Sequence, residues 1–220
     1  MEYTLDVAAA KQADQTSKFI KETGKYKGRF IKAEALLAAT GTKGIAFTFE
    51  ADDKQTANFS VYTTKADGEK LRGFQVVMAL MACLKLNRVN PAVMGEASKY
   101  DFDSKQDVKY QAPLLLDLMN KPIGVVLQSC EYAKEKDRVP TGEYGWKLEL
   151  QGAFDAATGL TATEILTQKT TPQLLAGIMA NLADRPLKNK PGARSGAQGY
   201  QGGTGQHDTH NSDIPDHFNY

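Results

Sequence analysis

The composition break at Pro186 most constrains this chain, because it separates residues that can build a core from residues that cannot. From Pro186 to Gly205 the sequence is dominated by Gly, Lys, Gln, Ala and Pro, and Leu187 is its one large aliphatic residue. That stretch cannot bury enough apolar surface to offset the entropy of ordering it, so residues 186–220 are expected to form a disordered Gly/Gln-rich linker ending in an interaction tip. Residues 1–185 are left to fold, enough for one domain with a sizeable core. The final nine residues place Asp213 and Asp216 beside Ile214, Pro215, Phe218 and Tyr220. This mixture of carboxylates and apolar groups reads as a tethered peptide ligand for a protein partner.

The formal net charge of +1 conceals a segregation of charge. Residues 206–220 hold Asp208, Asp213 and Asp216 and no Lys or Arg, so all 27 basic residues lie upstream against 23 acidic ones. A mildly basic body can carry a positive groove for a polyanion, while the acidic tip competes with that polyanion or recruits a basic partner. The two cysteines, Cys83 and Cys130, form no Cys-x-x-Cys pair, which excludes zinc ribbons and fingers and suggests buried, reduced thiols. Met1 to Asp6 has no apolar signal-peptide core, and no apolar run is long enough to span a bilayer. The expected location is the cytoplasm, with no membrane partner. The sequence is compatible with a homo-oligomer.

Ala8 to Lys21 reads as a short helix of poor periodicity. From Lys25 to Leu36 the chain reads as a long strand, with Gly28 expected to mark a bulge or bend. Ile45, Phe47 and Phe49 alternate with Ala46, Thr48 and Glu50, and Phe59, Val61 and Thr63 alternate with Ser60, Tyr62 and Thr64. Period two on both segments predicts strands with one buried face, and three such strands form a meander. The period then changes. Leu71, Phe74, Val77, Met78, Met81 and Leu84 recur at steps of three and four, predicting an amphipathic helix. Residues 88–121 carry no clear period beyond one or two helical turns at Leu114–Met119. Strand character returns at Pro122–Tyr132 and at Trp146–Phe154, separated by a charged loop from Ala133 to Gly145. A last helix is expected from Thr171 as N-cap and Pro172, with Leu174, Leu175, Ile178, Met179 and Leu182 on its apolar face. The expected fold is therefore mainly β: a five-stranded OB-fold barrel with a helix between strands 3 and 4, then a C-terminal helix and a disordered tail. Residues 1–185 would be the nucleic-acid-binding domain and 186–220 the tail.

Basic and aromatic residues interleave most densely between Lys18 and Lys32, where Lys25, Lys27, Arg29 and Lys32 accompany Tyr26 and Phe30. Cations track phosphates and aromatic faces stack on bases without reading their identity, which is the mixture that single-strand binding needs. Lys134, Lys136 and Arg138 form a second basic cluster in the loop between the fourth and fifth strands, followed by Trp146, and Tyr62 is a third stacking candidate. Against these stand bland readings: a solvated Lys-rich strand, and a Trp that packs at a rim. An enzymatic reading rests on Asp101, Asp103 and Asp107 with Lys105, a carboxylate cluster suited to Mg²⁺ in a nuclease, but the stretch is rich in turn formers. His207, Asp208 and His210 could chelate a metal, yet all three histidines lie in the tail, so no cofactor and no Ser-His-Asp arrangement is expected. A non-enzymatic protein is the expectation. Its rivals are a protein-interaction adaptor and a metal-dependent nuclease or recombination enzyme.

A basic body, a Gly/Gln-rich tether and an Asp-Ile-Pro tip at Asp213, Ile214 and Pro215 resemble bacterial and bacteriophage single-stranded DNA-binding proteins. The meander from Lys25 to Lys65 also resembles phage replication-region proteins regarded as single-strand binders. The resemblance implies sequence-independent coating of single-stranded DNA in the host cytoplasm, during replication or recombination. It also implies recruitment of replication and recombination proteins through Asp213, Ile214, Pro215, Asp216, Phe218 and Tyr220.

Overall fold

A computed structural model describes residues 17–101, 106–136 and 139–188, together with Thr4, Leu5 and Val7. The expected helix over Ala8–Lys21 lies mostly outside these residues, and its last part, around Phe19, runs extended and bridges to Thr56. The fold is mainly β, as expected, and all of its strand ladders are antiparallel. Among the described residues it has seven strands in one open sheet, two more than the sequence pattern suggests.

The organising strand is β1 (Gly24–Leu37), because each of its edges is used. One edge pairs with β2 (Lys43–Ala51) from Gly28 to Leu37, and β2 in turn pairs with β3 (Thr56–Thr64), completing the expected meander. The other edge is divided. Its first half, Gly24–Arg29, pairs with β6 (Pro122–Lys136), whereas Glu34 pairs with Leu114 of β5 (Gln106–Leu114). The register shifts between Phe30 and Lys32, where Ile31 has no partner on β2, and an extra residue of this kind bends a strand. The bulge therefore lies three residues past Gly28. Gly28 serves another purpose: a Cβ there would sit 2.0 Å from the Glu50 carbonyl oxygen, so only glycine lets the two strands approach.

Alternation builds the core. Phe30, Phe47, Phe49 and Phe59 all point inward, and the Phe30 ring lies 4.5 Å, 5.8 Å and 6.3 Å from the other three centroids. Helix α1 (Arg72–Cys83) lays Val76, Val77, Leu80 and Cys83 over this cluster, and β6 and β7 (Val139–Phe154) add Ile123, Val125, Leu127 and Leu150. At Gly73 the helix comes so close to β3 that a Cβ would lie 2.0 Å from the Tyr62 carbonyl oxygen. Both cysteines are free and buried, and burial pushes the Cys83 thiol up to about 12 and the Cys130 thiol up to about 11. They stay protonated at neutral pH.

Two hairpins extend beyond this core. β4 (Val93–Asp101) pairs with β5 in the stretch that shows no clear period, and its short buried patch is Ala97, Ala112 and Leu114. The expected helical turns at Leu114–Met119 reduce to one 3₁₀ turn, Leu116–Leu118. The described residues of the expected charged loop between Ala133 and Gly145 are also strand: β6 to Lys136 and β7 from Val139 form a long arm, pairing Ala133 with Tyr144 and Lys136 with Val139. Cross-strand hydrogen bonds hold those residues extended without any buried apolar face, so their composition resembles that of a loop.

The last helix starts later than expected. Thr171 is not its cap. Helix α3 (Leu174–Ala180) follows the short helix α2 (Ala162–Leu166), and one buried carboxylate caps both. Oε1 of Glu164 accepts the amides of Gln173 and Leu174 at 2.6 Å and 2.9 Å, while its Oε2 accepts the amide and hydroxyl of Thr161 at 2.8 Å and 2.9 Å. These donors, the Gln173 amide foremost, hold the carboxyl down to about 2, from an ordinary 4.5. A carboxyl whose pKa falls on folding contributes stability above its unfolded value and loses it as pH drops through the folded one. The wild-type melting temperature should thus fall between pH 4.5 and about 2. Glu164→Gln, whose amide offers one acceptor for four donors, should melt lower at pH 7 and show a flatter response across that window. Parallel acid dependences for the two proteins would remove Glu164 from this role.

After α3 the chain returns to β6. Arg185 bridges Cys130 in parallel fashion, donating its amide to the Ser129 carbonyl and accepting from the Glu131 amide, both at 2.8 Å. This extends the sheet where β1 has ended. No described helix is long and apolar enough to cross a membrane.

Candidate nucleic-acid interface

The outer face of the meander is the floor of a long open groove, because alternation sends Thr48, Asn58, Ser60 and Tyr62 outward while the phenylalanines point in. Glu96 to Tyr100 on the free edge of β4 border it on one side, and the β6–β7 arm borders it on another. Lys18 and Phe19 close one end, held beside β3 by reciprocal backbone bonds: the Thr56 amide donates to Lys18 and the Ile20 amide to Thr56. β3 and β7 approach each other beneath the groove with no ladder between them.

Aromatic residues reach this surface from four elements. Along β7, Leu150 and Leu148 point to the core, and the next residue on that face, Trp146, emerges beyond it with 52% of its surface exposed. Tyr62 is half-buried, its ring crossing Gly44 on the neighbouring strand, where a Cβ would stand 3.0 Å from its Cδ1. Phe19 and Tyr100 are exposed. Tyr132 lies on the opposite face of the arm from Trp146, with the Lys147 ammonium 5.8 Å from its ring centroid. Among the described residues lining the groove, nine cations face six carboxylates. Several cations are already partnered: Lys134 with Glu143 at 3.1 Å, Lys147 with Glu149 at 3.7 Å and Lys54 with Glu50 at 3.3 Å. Lys18, Lys21 and Lys136 have no ion pair among the described residues and are the freest to meet an anion.

The structure thus divides the residues that the sequence singles out. Lys32, Tyr62, Lys134, Lys136 and Trp146 line the groove together. Lys32 is only 12% exposed and spent on a local cluster: its Nζ donates to the Tyr110 hydroxyl at 3.1 Å and lies 3.6 Å from Glu34, to which Tyr110 also donates at 2.6 Å. It joins β5 to the meander. Tyr26 faces inward against the core, donates to the Glu22 carbonyl at 2.8 Å and has its phenol pushed up by burial. Arg29 pairs with Glu50 at 3.0 Å. Lys25 and Lys27 point to a separate cleft beside α3 that has no residue in common with the groove. Lys134 and Lys136 lie on strand and not in a loop, and Arg138 is outside the described residues.

Lys18 and Lys21, from the basic run that ends at Lys32, also line the groove, whereas Lys99, Tyr100 and Lys147 carry no sequence signal for it and reach it through the strands they lie on. Among the described residues no three His, Cys, Asp or Glu side chains come together to hold a metal, and Asp103 and Lys105 lie outside those residues, as do His207, Asp208 and His210. The tail residues Asp213, Ile214, Pro215, Asp216, Phe218 and Tyr220 also lie outside them. No protein-family model and no curated protein matches the chain.

Proposed function

We propose that this protein binds single-stranded DNA without sequence preference, coating strands exposed in replication or recombination, and that it has no enzymatic activity of its own. One observation carries the reading: an open groove floored by polar strand residues, rimmed by exposed aromatic side chains and unpaired lysines. Aromatic faces accept any base, and lysines track a backbone whose phosphates change little with sequence. The described helices are short or packed on the core, which favours single strands over a duplex major groove. The strand order supports an OB-type body: a meander, a helix after its third strand, then β6 pairing back to β1 and β7 passing near β3 without pairing to it, with β4–β5 inserted ahead of them. Recruitment of replication and recombination proteins would fall to the acidic tip at Asp213–Tyr220, whose mixture of carboxylates and apolar side chains suits a basic-rimmed cleft.

The test is a binding series with single-stranded and duplex DNA at two salt concentrations. Single strands should bind more tightly, with a salt slope of roughly −0.7 per phosphate contact. Lys134→Ala with Lys136→Ala should weaken binding severalfold and make that slope shallower by roughly 0.7 for each lost contact. Lys25→Ala with Lys27→Ala should leave both unchanged, since those lysines point away from the groove. Equal affinity for duplex, or a flat salt response, would overturn the reading.

A further inference from the structure

We propose that the cleft between Lys25, Lys27 and α3 is a peptide site that receives this chain's own acidic tip, residues 212–220. The cleft measures about 340 Å³, at the small end of ligand pockets, and suits one or two apolar side chains better than a folded partner. Its floor is Phe154 and Leu175, both buried, and its wall is Pro172. Lys25 and Lys27 stand exposed at the rim, and neither has an ion pair among the described residues. This combination asks for a ligand with two negative charges and an apolar group between or beside them.

The tip has that chemistry. Asp213 and Asp216 flank Ile214 and Pro215, Phe218 follows two residues on, and no Lys or Arg occurs after Arg194. Asp213 and Asp216 are three positions apart in the sequence, a reach of at most roughly 10 Å. Lys25 and Lys27 are separated by about 7 Å along β1, and their flexible four-carbon stems can cover the difference. Length sets no obstacle. Between Lys188 and Ser212 lie 23 residues, a span of up to roughly 80 Å, against a radius of gyration of roughly 15 Å for a body of this size. Tethering raises the tip's local concentration to about the millimolar range, enough for a weak site to be occupied.

Charge decides between this cleft and the groove. In the groove six carboxylates are interleaved among the nine cations, several of them in ion pairs, and would repel the tip locally. Among the described residues, by contrast, Lys25 and Lys27 face the cleft with no Asp or Glu beside them in its lining. Occupying the cleft leaves the groove open, so docking of the tip and binding of a strand are compatible. The inference holds whichever ligand the groove takes.

Amide hydrogen exchange on the full chain, resolved by residue, tests it. In the wild type, Thr158, Gly159 and Ala176 should exchange severalfold more slowly than in Asp213→Lys with Asp216→Lys, a variant that leaves the folded body's sequence untouched. Adding Lys25→Asp and Lys27→Asp to that variant should restore the slow exchange. Unchanged exchange, a change at groove residues such as Trp146 in place of the cleft, or failure of the charge swap would overturn the proposal. Protection that grows with protein concentration would assign the cleft to the tip of a second copy, and would overturn it equally.

Discussion

Truncating Phe30 to alanine is expected to cost about 3–5 kcal/mol of folding stability, the largest effect of any single substitution considered for this molecule. Phe30 has no exposed surface and touches Phe47, Phe49 and Phe59 with its ring, so removing it opens a cavity among three strands. Those neighbours belong to a hydrogen-bonded ladder and cannot collapse into the space. A whole domain is stable by only about 5–15 kcal/mol, so the variant should unfold at much lower denaturant concentration, with an unchanged m-value if folding stays two-state. A loss below about 1 kcal/mol would mean that the four rings do not form a common core.

The second large effect concerns binding. Trp146→Ala and Tyr62→Ala should each weaken single-stranded DNA binding by about 1–3 kcal/mol, if each ring stacks on a base. Neither should lower stability comparably, since Trp146 lies beyond the core on the arm and Tyr62 on the outer face of the meander. Trp146 is the chain's one tryptophan, so its fluorescence should change when a strand binds, without any label. A melting temperature that drops while affinity holds would assign the ring to packing. Wild-type fluorescence indifferent to saturating DNA would place the strand away from Trp146.

The meander was legible because period two is a local signal. Phe47 and Phe49 on one strand and Phe59 and Val61 on the next need no partner to declare which face they bury. The arms were not legible for the same reason turned around. β4 is exposed on both faces for most of its length, so no alternation marks it, and the outer half of the β6–β7 arm is dense in charge. The start of the last helix was misplaced because its cap comes from Glu164, nine residues before Gln173 and outside any N-cap window.

The candidate site divides along similar lines. Basic and aromatic interleaving near Lys25 correctly marks an outward-facing basic strand, since Lys25, Lys27 and Arg29 are exposed, but not which surface each residue serves. That was settled by the bend at Ile31 and by the exchange of β1's partner from β6 to β5, which turn Lys25 and Lys27 toward α3 and leave Lys32 against Tyr110. By itself the sequence determined which residues of the meander are core, because burial alternates with the pleat and every two residues repeat the test. Only the tertiary structure decided which exposed cations and rings share a surface. That depends on sheet curvature and on pairings between residues up to about a hundred positions apart, such as Lys25 with Val126, which no local window contains.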